Sequence, residues 1–554
     1  MTIASGTSSP PEHSINTTLS LGRGFTPRRR AVALVLAVVA ATGASSGIAE
    51  SAVARAETSN RAVSLNLETA TIQQLHGMLS GRQLSAAKLA ELYVDRIGQL
   101  NSKGPGLNAV RAINPNWRRD AQKVDEERAK HVDLGPIMGI PVLVKDNIDV
   151  KGMPTTAGSV ALANSYPSDD APVIKQLKAA GAIILGKTNM AEFAYYTTSG
   201  APNGYSSLGG QVLNPYDTAL NPGGSSSGSG AAMAVGMAAG TVGSDTGGSI
   251  LQPSHVMSDV GVRPTVGLLS RSGVVPISAT NDTTGPINHT VWDAAAMLTA
   301  MTTGVDPGDP ATSSAGSYDH TDYTKALSTT ALQGARIGYV PVTTPDPIYD
   351  AALQALRNQG ATLVPVDLNA NNLPTRVWDY EFKQGLNSYL SKLPSSDHVR
   401  SLADVIGYNK AHANVALKFG ETLLDGAQAI DLKDPATKAA FEANRAAGLA
   451  EARSRIDGTL QANQLQAVVF AGQSGNTIVT RAAYPAIMVQ AGYTQGNRHP
   501  EGLEFIGTAY SEAKLLGFAY DFEQATKVWK PPSEINPTLF RCVGVSAGQG
   551  SCAP

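Results

Sequence analysis

Apolar positions along this chain switch repeatedly between a helical period and short continuous runs. Two helical patterns lie between residues 69 and 99, and in the second Ala86, Leu89, Tyr93 and Ile97 recur on one face. The run 137–145 is apolar and ends on Lys145, which reads as a buried strand. Residues 171–180 return to helical spacing, Gly181 supplies a stop, and 182–185 read as the next strand. Beyond residue 249, the segments 260–269 and 274–277 suggest strands and 292–302 a helix. A polar connector with Pro, Gly and Ser occupies 306–320. Helix and strand patterns then alternate through 331–341, 348–360 and 361–366. Residues 376–460 read as mostly helical, and 465–470 as a further strand. Helix followed by short apolar strand is an α/β pattern. No internal repeat of solenoid period occurs. The pattern predicts one large domain over 60–530, with 531–554 as a loosely attached tail.

The N-terminus departs from this pattern. Residues 1–27 are rich in Ser, Thr and Pro and read as unstructured. Arg28-Arg29-Arg30, the apolar run 31–41 and Ala52-Val53-Ala54 have the order of a signal peptide with cleavage after Ala54. A run this short does not span a bilayer, which takes about 20 residues. The expectation is a secreted mature chain, free of the membrane after cleavage. An uncleaved anchor and a misassigned start are the alternatives. The arginines hint at twin-arginine export, but the residues after them fit that motif poorly. The two cysteines, Cys542 and Cys552, both lie in the tail. In an exported chain they make a plausible disulfide, with free thiols in a disordered tail as the alternative.

Charge and composition remove several classes of function. The formal charge is −2 over 554 residues, without a dense Lys/Arg stripe, which argues against nucleic acid as a main partner. The nine histidines are scattered without metal-ligand spacing, and no metal or cofactor is expected.

The chemistry concentrates in two glycine-rich segments. Gly223-Gly224-Ser225-Ser226-Ser227-Gly228-Ser229-Gly230 precedes a stretch of small residues, and Asp245-Thr246-Gly247-Gly248-Ser249 follows it. Glycines let backbone N–H groups converge on one point, as stabilising an oxyanion requires. Ser249 beside such a turn is a candidate nucleophile, although a solvated serine in an ordinary turn has the same sequence. A serine hydroxyl needs a base. Lys145, behind Pro141-Val142-Leu143-Val144, qualifies if burial keeps it neutral, whereas a lysine at a strand end is more often exposed. Ser225 can connect the two. Two other motifs compete. The segment 181–188 satisfies the P-loop spacing, but its four intervening residues are themselves strand-like. Gly224-Ser225-Ser226-Ser227-Gly228 satisfies the nucleophile-elbow pattern around Ser226, which would need a downstream Asp and a His such as His499.

These residues resemble the amidase signature family. The resemblance rests on 223–253, 139–147 and Gly186-Lys187-Thr188-Asn189-Met190-Ala191-Glu192-Phe193. It continues through Gly261-Val262-Arg263-Pro264-Thr265-Val266-Gly267, Asp282-Thr283-Thr284-Gly285-Pro286 and Gly502-Leu503-Glu504-Phe505-Ile506-Gly507, and spans about 67–530. Within the family the chain looks most similar to bacterial peptide amidases. That likeness includes Tyr380-Glu381-Phe382-Lys383-Gln384-Gly385-Leu386 and Ser401-Leu402-Ala403-Asp404-Val405-Ile406. The resemblance implies a large mixed β-sheet covered by α-helices on both faces. It also implies a Ser-Ser-Lys triad, with Ser249 as nucleophile, Ser225 as the bridging serine after a cis peptide bond, and Lys145 as base. Thr246, Gly247, Gly248 and Ser249 match the segment lining the oxyanion hole. Four places depart from the family pattern: Leu251, Pro253-Ser254-His255, Phe470-Ala471-Gly472 and His499-Pro500-Glu501. They are expected in or near the substrate pocket.

The reading is a secreted hydrolase of linear amide C–N bonds, acting on a small-molecule or peptide amide such as a C-terminal peptide amide. An acyltransferase using an amine in place of water, the ammonia-releasing subunit of a tRNA-dependent amidotransferase, and a non-catalytic binder on the same fold are the alternatives. Neither the particular amide nor the oligomeric state follows from the sequence.

Overall fold

A computed structural model describes residues 65–540, apart from 320, 395–398, 495 and 497. The expected signal peptide and Cys542 and Cys552 lie outside the described residues. From Leu67 onward the described chain belongs to one compact unit.

Thirteen strands form among the described residues. In chain order they are β1 (Val110–Ile113), β2 (Pro141–Lys145), β3 (Ile183–Thr188), β4 (Tyr205–Ser206), β5 (Gly210–Gln211), β6 (Gly240–Asp245) and β7 (Val260–Arg263). The remainder are β8 (Thr283–Asn288), β9 (Arg336–Tyr339), β10 (Thr362–Pro365), β11 (Ala467–Ala471), β12 (Ala486–Thr494) and β13 (His499–Ile506). β4 and β5 pair as a small hairpin. The other eleven make one sheet in the order β1-β3-β2-β6-β8-β7-β12-β13-β11-β9-β10. The sheet is mixed. β2 runs parallel to β3 and β6, β9 runs parallel to β10 and β11, and the pairs from β6 through β13 to β11 are antiparallel.

Every residue of β2, β3, β6 and β8 is buried. A strand buried at every position must be covered on both faces. The covering helices include Ser227–Ala234, Val291–Met301 and Glu512–Thr526. The first is built from Ser, Gly, Ala and Met, and its glycines set how closely it approaches the sheet. A Cβ on Gly228 would come within 2.4 Å of the Ala109 carbonyl oxygen.

The register places the chemistry at one end of the sheet. β2 and β6 are parallel, so Lys145 and Asp245 both sit at C-terminal ends. β8 is antiparallel to β6 and brings Thr283 opposite Asp245, while Arg263 ends β7 beside it.

Most of the predicted elements form close to the expected bounds, including the helices Ala86–Leu100, Pro172–Ala179 and Val291–Met301. Three features differ. The strand expected over 260–269 ends at Arg263, and beyond it only an isolated bridge pairs Val266 with Leu269. The segment 274–277 makes only an isolated bridge between Ile148 and Val274, and the sheet passes it by. The expected loose tail is packed as far as Phe540. Ser533 donates its N–H and its hydroxyl to the Glu68 carboxylate at 3.0 and 2.6 Å, Asn536 Nδ2 donates to the Tyr216 carbonyl, and Phe540 is buried.

Candidate active site

Lys145 is fully buried at the end of β2. Its Nζ donates to Ser225 Oγ at 2.7 Å, to Ser244 Oγ at 2.9 Å and to the Ser244 carbonyl at 3.2 Å. All three partners are neutral. Burial strips water from the ammonium and pulls the Lys145 pKa down to about 7, although the negative charges of Asp245 and Asp282 pull the other way. Desolvation wins because neither carboxylate is a direct partner of the Lys145 Nζ. A lysine in this state is available as a base near neutral pH.

Ser225 is also fully buried and follows a cis peptide bond from Gly224. Gly223, at φ +66°, turns the chain where a Cβ would lie 2.8 Å from the Pro253 Cα. The Ser226 N–H donates to the Ser249 carbonyl at 3.2 Å, which joins the two serine loops. The Gly224 N–H donates to Gln252 Oε1 and joins them again.

Ser249 is partly exposed, unlike Lys145 and Ser225. The backbone on either side of it is clasped by one carboxylate. Asp245 Oδ1 accepts the Gly248 N–H at 2.8 Å, and Oδ2 accepts the Ile250 N–H at 2.7 Å. Arg263 Nη1 fixes that carboxylate at 2.5 Å from inside the sheet, with both side chains fully buried. The clasp revises the expected oxyanion segment. The Gly248 amide is already committed to Asp245, which leaves Thr246, Gly247 and Ser249 as the amides to consider. Gly247 is exposed, and the Trp378 ring covers it so closely that a Cβ there would lie 2.8 Å from Cη2. Gly248, at φ +107°, approaches Asn476 so closely that a Cβ would lie 2.3 Å from Nδ2.

The structure therefore brings Lys145 and Ser225 into direct contact and places Ser249 on the adjoining loop. It adds groups to which sequence reasoning assigned no role. Ser244 and Asn147 form a second hydrogen-bonded arm on Lys145, with Asn147 Nδ2 donating to Ser244 Oγ at 3.0 Å. Both lie inside the quoted motifs and were open to inspection there. Trp378 and Asn476 come from distant helices and carry no local signal.

The competing motifs are structural. Gly186, Lys187 and Thr188 lie inside β3, and Lys187 Nζ is buried against the Ile148 carbonyl at 2.7 Å and Asp146 at 3.2 Å. Ser226 is fully buried, and its hydroxyl donates to the Ser244 carbonyl. Three of the sequence departures meet in one cluster around His255. Its Nδ1 accepts the Gly502 N–H at 3.0 Å, its Nε2 lies 3.5 Å from Glu501, and a Cβ on Gly472 would touch its ring. Burial holds the His255 pKa down at about 4, and burial also pushes Glu501 up to about 7.

Comparison with known proteins agrees with this geometry. The Amidase family model matches residues 88–429. A probable amidase of Arabidopsis thaliana is 38% identical over 85% of this chain and 92% of its own length. Among solved structures, the native peptide amidase from Stenotrophomonas maltophilia superposes with a TM-score of 0.77 at 38% identity, covering 84% of this chain and 98% of that one. An amidase family protein from Bacillus anthracis superposes with a TM-score of 0.80 at 36% identity, covering 84% and 92%. This chain belongs to the amidase signature family and is a hydrolase of amide C–N bonds.

Proposed function

We propose that this protein hydrolyses C-terminal peptide amides through an acyl-enzyme on Ser249, and that it does so outside the cell. The observation that carries the mechanism is the 2.7 Å contact between Lys145 Nζ and Ser225 Oγ, in a site that strips the lysine of water. Neutral Lys145 takes the Ser225 proton as Ser225 takes the Ser249 proton, and Ser249 Oγ bonds to the amide carbon. The developing oxyanion is met by backbone N–H groups drawn from Thr246, Gly247 and Ser249. Collapse breaks the C–N bond, and the relay returns the proton to nitrogen, so that a primary amide leaves as ammonia. Water then attacks the ester, giving up its proton to the same relay, and frees the acid and Ser249.

A peptide substrate is favoured by the peptide amidase relatives, one of which is described in complex with the competitive inhibitor chymostatin. Export rests on the sequence features of residues 28–54. An ammonia- and amine-release screen over peptide, aryl and small aliphatic amides tests the substrate. The same screen with added amine separates hydrolysis from acyl transfer. Ammonia from amidated peptides is the expected result. Release from aryl or aliphatic amides alone would overturn the peptide reading, and an amide product formed with the added amine would overturn hydrolysis.

A further inference from the structure

Beside the catalytic turn lies a groove whose charge is out of keeping with the rest of the chain. A shallow depression is lined by Arg376, Arg445 and Arg481 together with Asn281 and Thr280. A larger open cleft of about 580 Å³ shares Thr280, Arg445 and Leu449 with it and adds Arg453. Among the described residues no Asp or Glu lines either one. Four arginines thus converge on one continuous groove, in a protein of formal charge −2.

Contacts within the chain hold these arginines in place, Arg453 Nε donating to the Ala482 carbonyl at 2.9 Å. Arg481 is buried, and its Nη2 donates to the Pro374 carbonyl at 2.5 Å. Gly448 makes room for it, since a Cβ there would lie 2.8 Å from Nη2. Burial lowers the Arg481 pKa, and the nearby Arg376 charge lowers it further, so two like charges face each other. Arg376 lies over the Trp378 ring at 4.3 Å, and Arg445 lies over Phe441 at 5.4 Å. Stacking holds a guanidinium plane while leaving its N–H edge open to an anion. Neighbouring carboxylates are already held by hydroxyl donors. Glu381 accepts from the Ser278 and Thr280 hydroxyls, Asp379 from Tyr196, and Asp457 from Tyr484. Glu381 acts on Arg445 from behind the wall, but no carboxylate stands in the lining itself, and four guanidinium groups there favour an incoming anion.

The groove reaches the reaction centre through direct contacts. Trp378 covers Gly247 in the oxyanion turn, Arg376 covers Trp378, and Trp378 Nε1 donates to Asn281 at 2.9 Å on the cavity wall. We infer that this groove holds acidic side chains upstream of the cleaved amide, so that the substrates are amidated peptides rich in Asp and Glu. The inference rests on the peptide-amide reading above. The lining runs from Arg376 and Arg481 to Arg453, more guanidinium groups than a single carboxylate requires, which favours a peptide over a small acid.

The test compares amidated peptides of equal length carrying Glu or Asp upstream of the amide with the Gln or Asn versions. In the native enzyme the acidic peptides should show kcat/KM at least about tenfold higher, an advantage that falls as salt is raised. Replacing the exposed pair, Arg376→Gln with Arg445→Gln, should cut the acidic-to-neutral ratio about fivefold or more. Equal kcat/KM for acidic and neutral peptides in the native enzyme, or an unmoved ratio in the variant, would overturn the inference. Binding of labelled acidic and neutral peptides to the Ser249→Ala protein, read by fluorescence anisotropy, judges the groove separately. Tighter acidic binding that weakens in the arginine variant supports the groove even if no peptide amide is turned over. Equal binding sinks it, and a total lack of peptide-amide turnover sinks the peptide reading instead.

Discussion

In the proposed mechanism Lys145 acts as base because of where it is buried. Its pKa is lowered, so its neutral form grows as pH rises through about 7. Activity should therefore climb through that range and level off above it, with kcat/KM measured against pH as the check. A profile flat from neutral to alkaline pH would contradict the assignment of Lys145 as base. Replacing Ser244 with Ala removes one arm on Nζ while leaving Ser225 in contact. It should change the apparent pKa of that profile while ammonia release persists, which a purely structural role for Ser244 would not do. At this scale much was legible. Lys145, Ser225 and Ser249 stand out because glycine-rich turns and a lysine after an apolar strand are local signals. Ser244 and Asn147 lie within the same motifs and could have been found there, whereas the Trp378 cover was not legible, since it depends on a contact between distant segments.

At the scale of the element, the turn from β6 into the helix Leu251–Val256 is the unit that has to be exact. Asp245 closes it by accepting two backbone N–H groups, and Arg263 on β7 neutralises that carboxylate in the core. Arg263→Ala leaves a buried carboxylate unpaired and should cost about 3–5 kcal/mol, measured by urea unfolding. Activity should fall further than stability explains, because the same loss loosens the turn around Ser249. The strands around this turn were the hardest to read. β6 and β8 are rich in Gly, Thr and Ser, because close backbone packing takes the place of large side chains. A Cβ on Gly285 of β8 would lie 2.1 Å from the Val262 carbonyl oxygen. β13 carries Glu504 in the core, where burial raises its pKa to about 8, so a carboxyl held neutral interrupts the apolar pattern.

The whole molecule holds its N- and C-terminal described segments together at a distance from the chemistry. Ser533 bonds Glu68, and Glu68 faces Arg96 at 3.7 Å, with both of these side chains buried. Phe540→Ala should cost about 3 kcal/mol in urea unfolding, as for other buried aromatic truncations, and should leave the pH profile in place. The α/β class and the large mixed sheet followed from alternating patterns and the family resemblance. The end of the packed body did not, because 531–540 contains three prolines and only short helices.

The central claim is that a buried Lys145–Ser225 pair drives Ser249 onto an amide carbon. The most direct test is ammonia release from an amidated peptide by the folded Ser249→Ala protein. The account predicts a fall of roughly 10⁴-fold or more against the native enzyme, with the unfolding midpoint little changed. Release at a rate comparable to the native enzyme would contradict it.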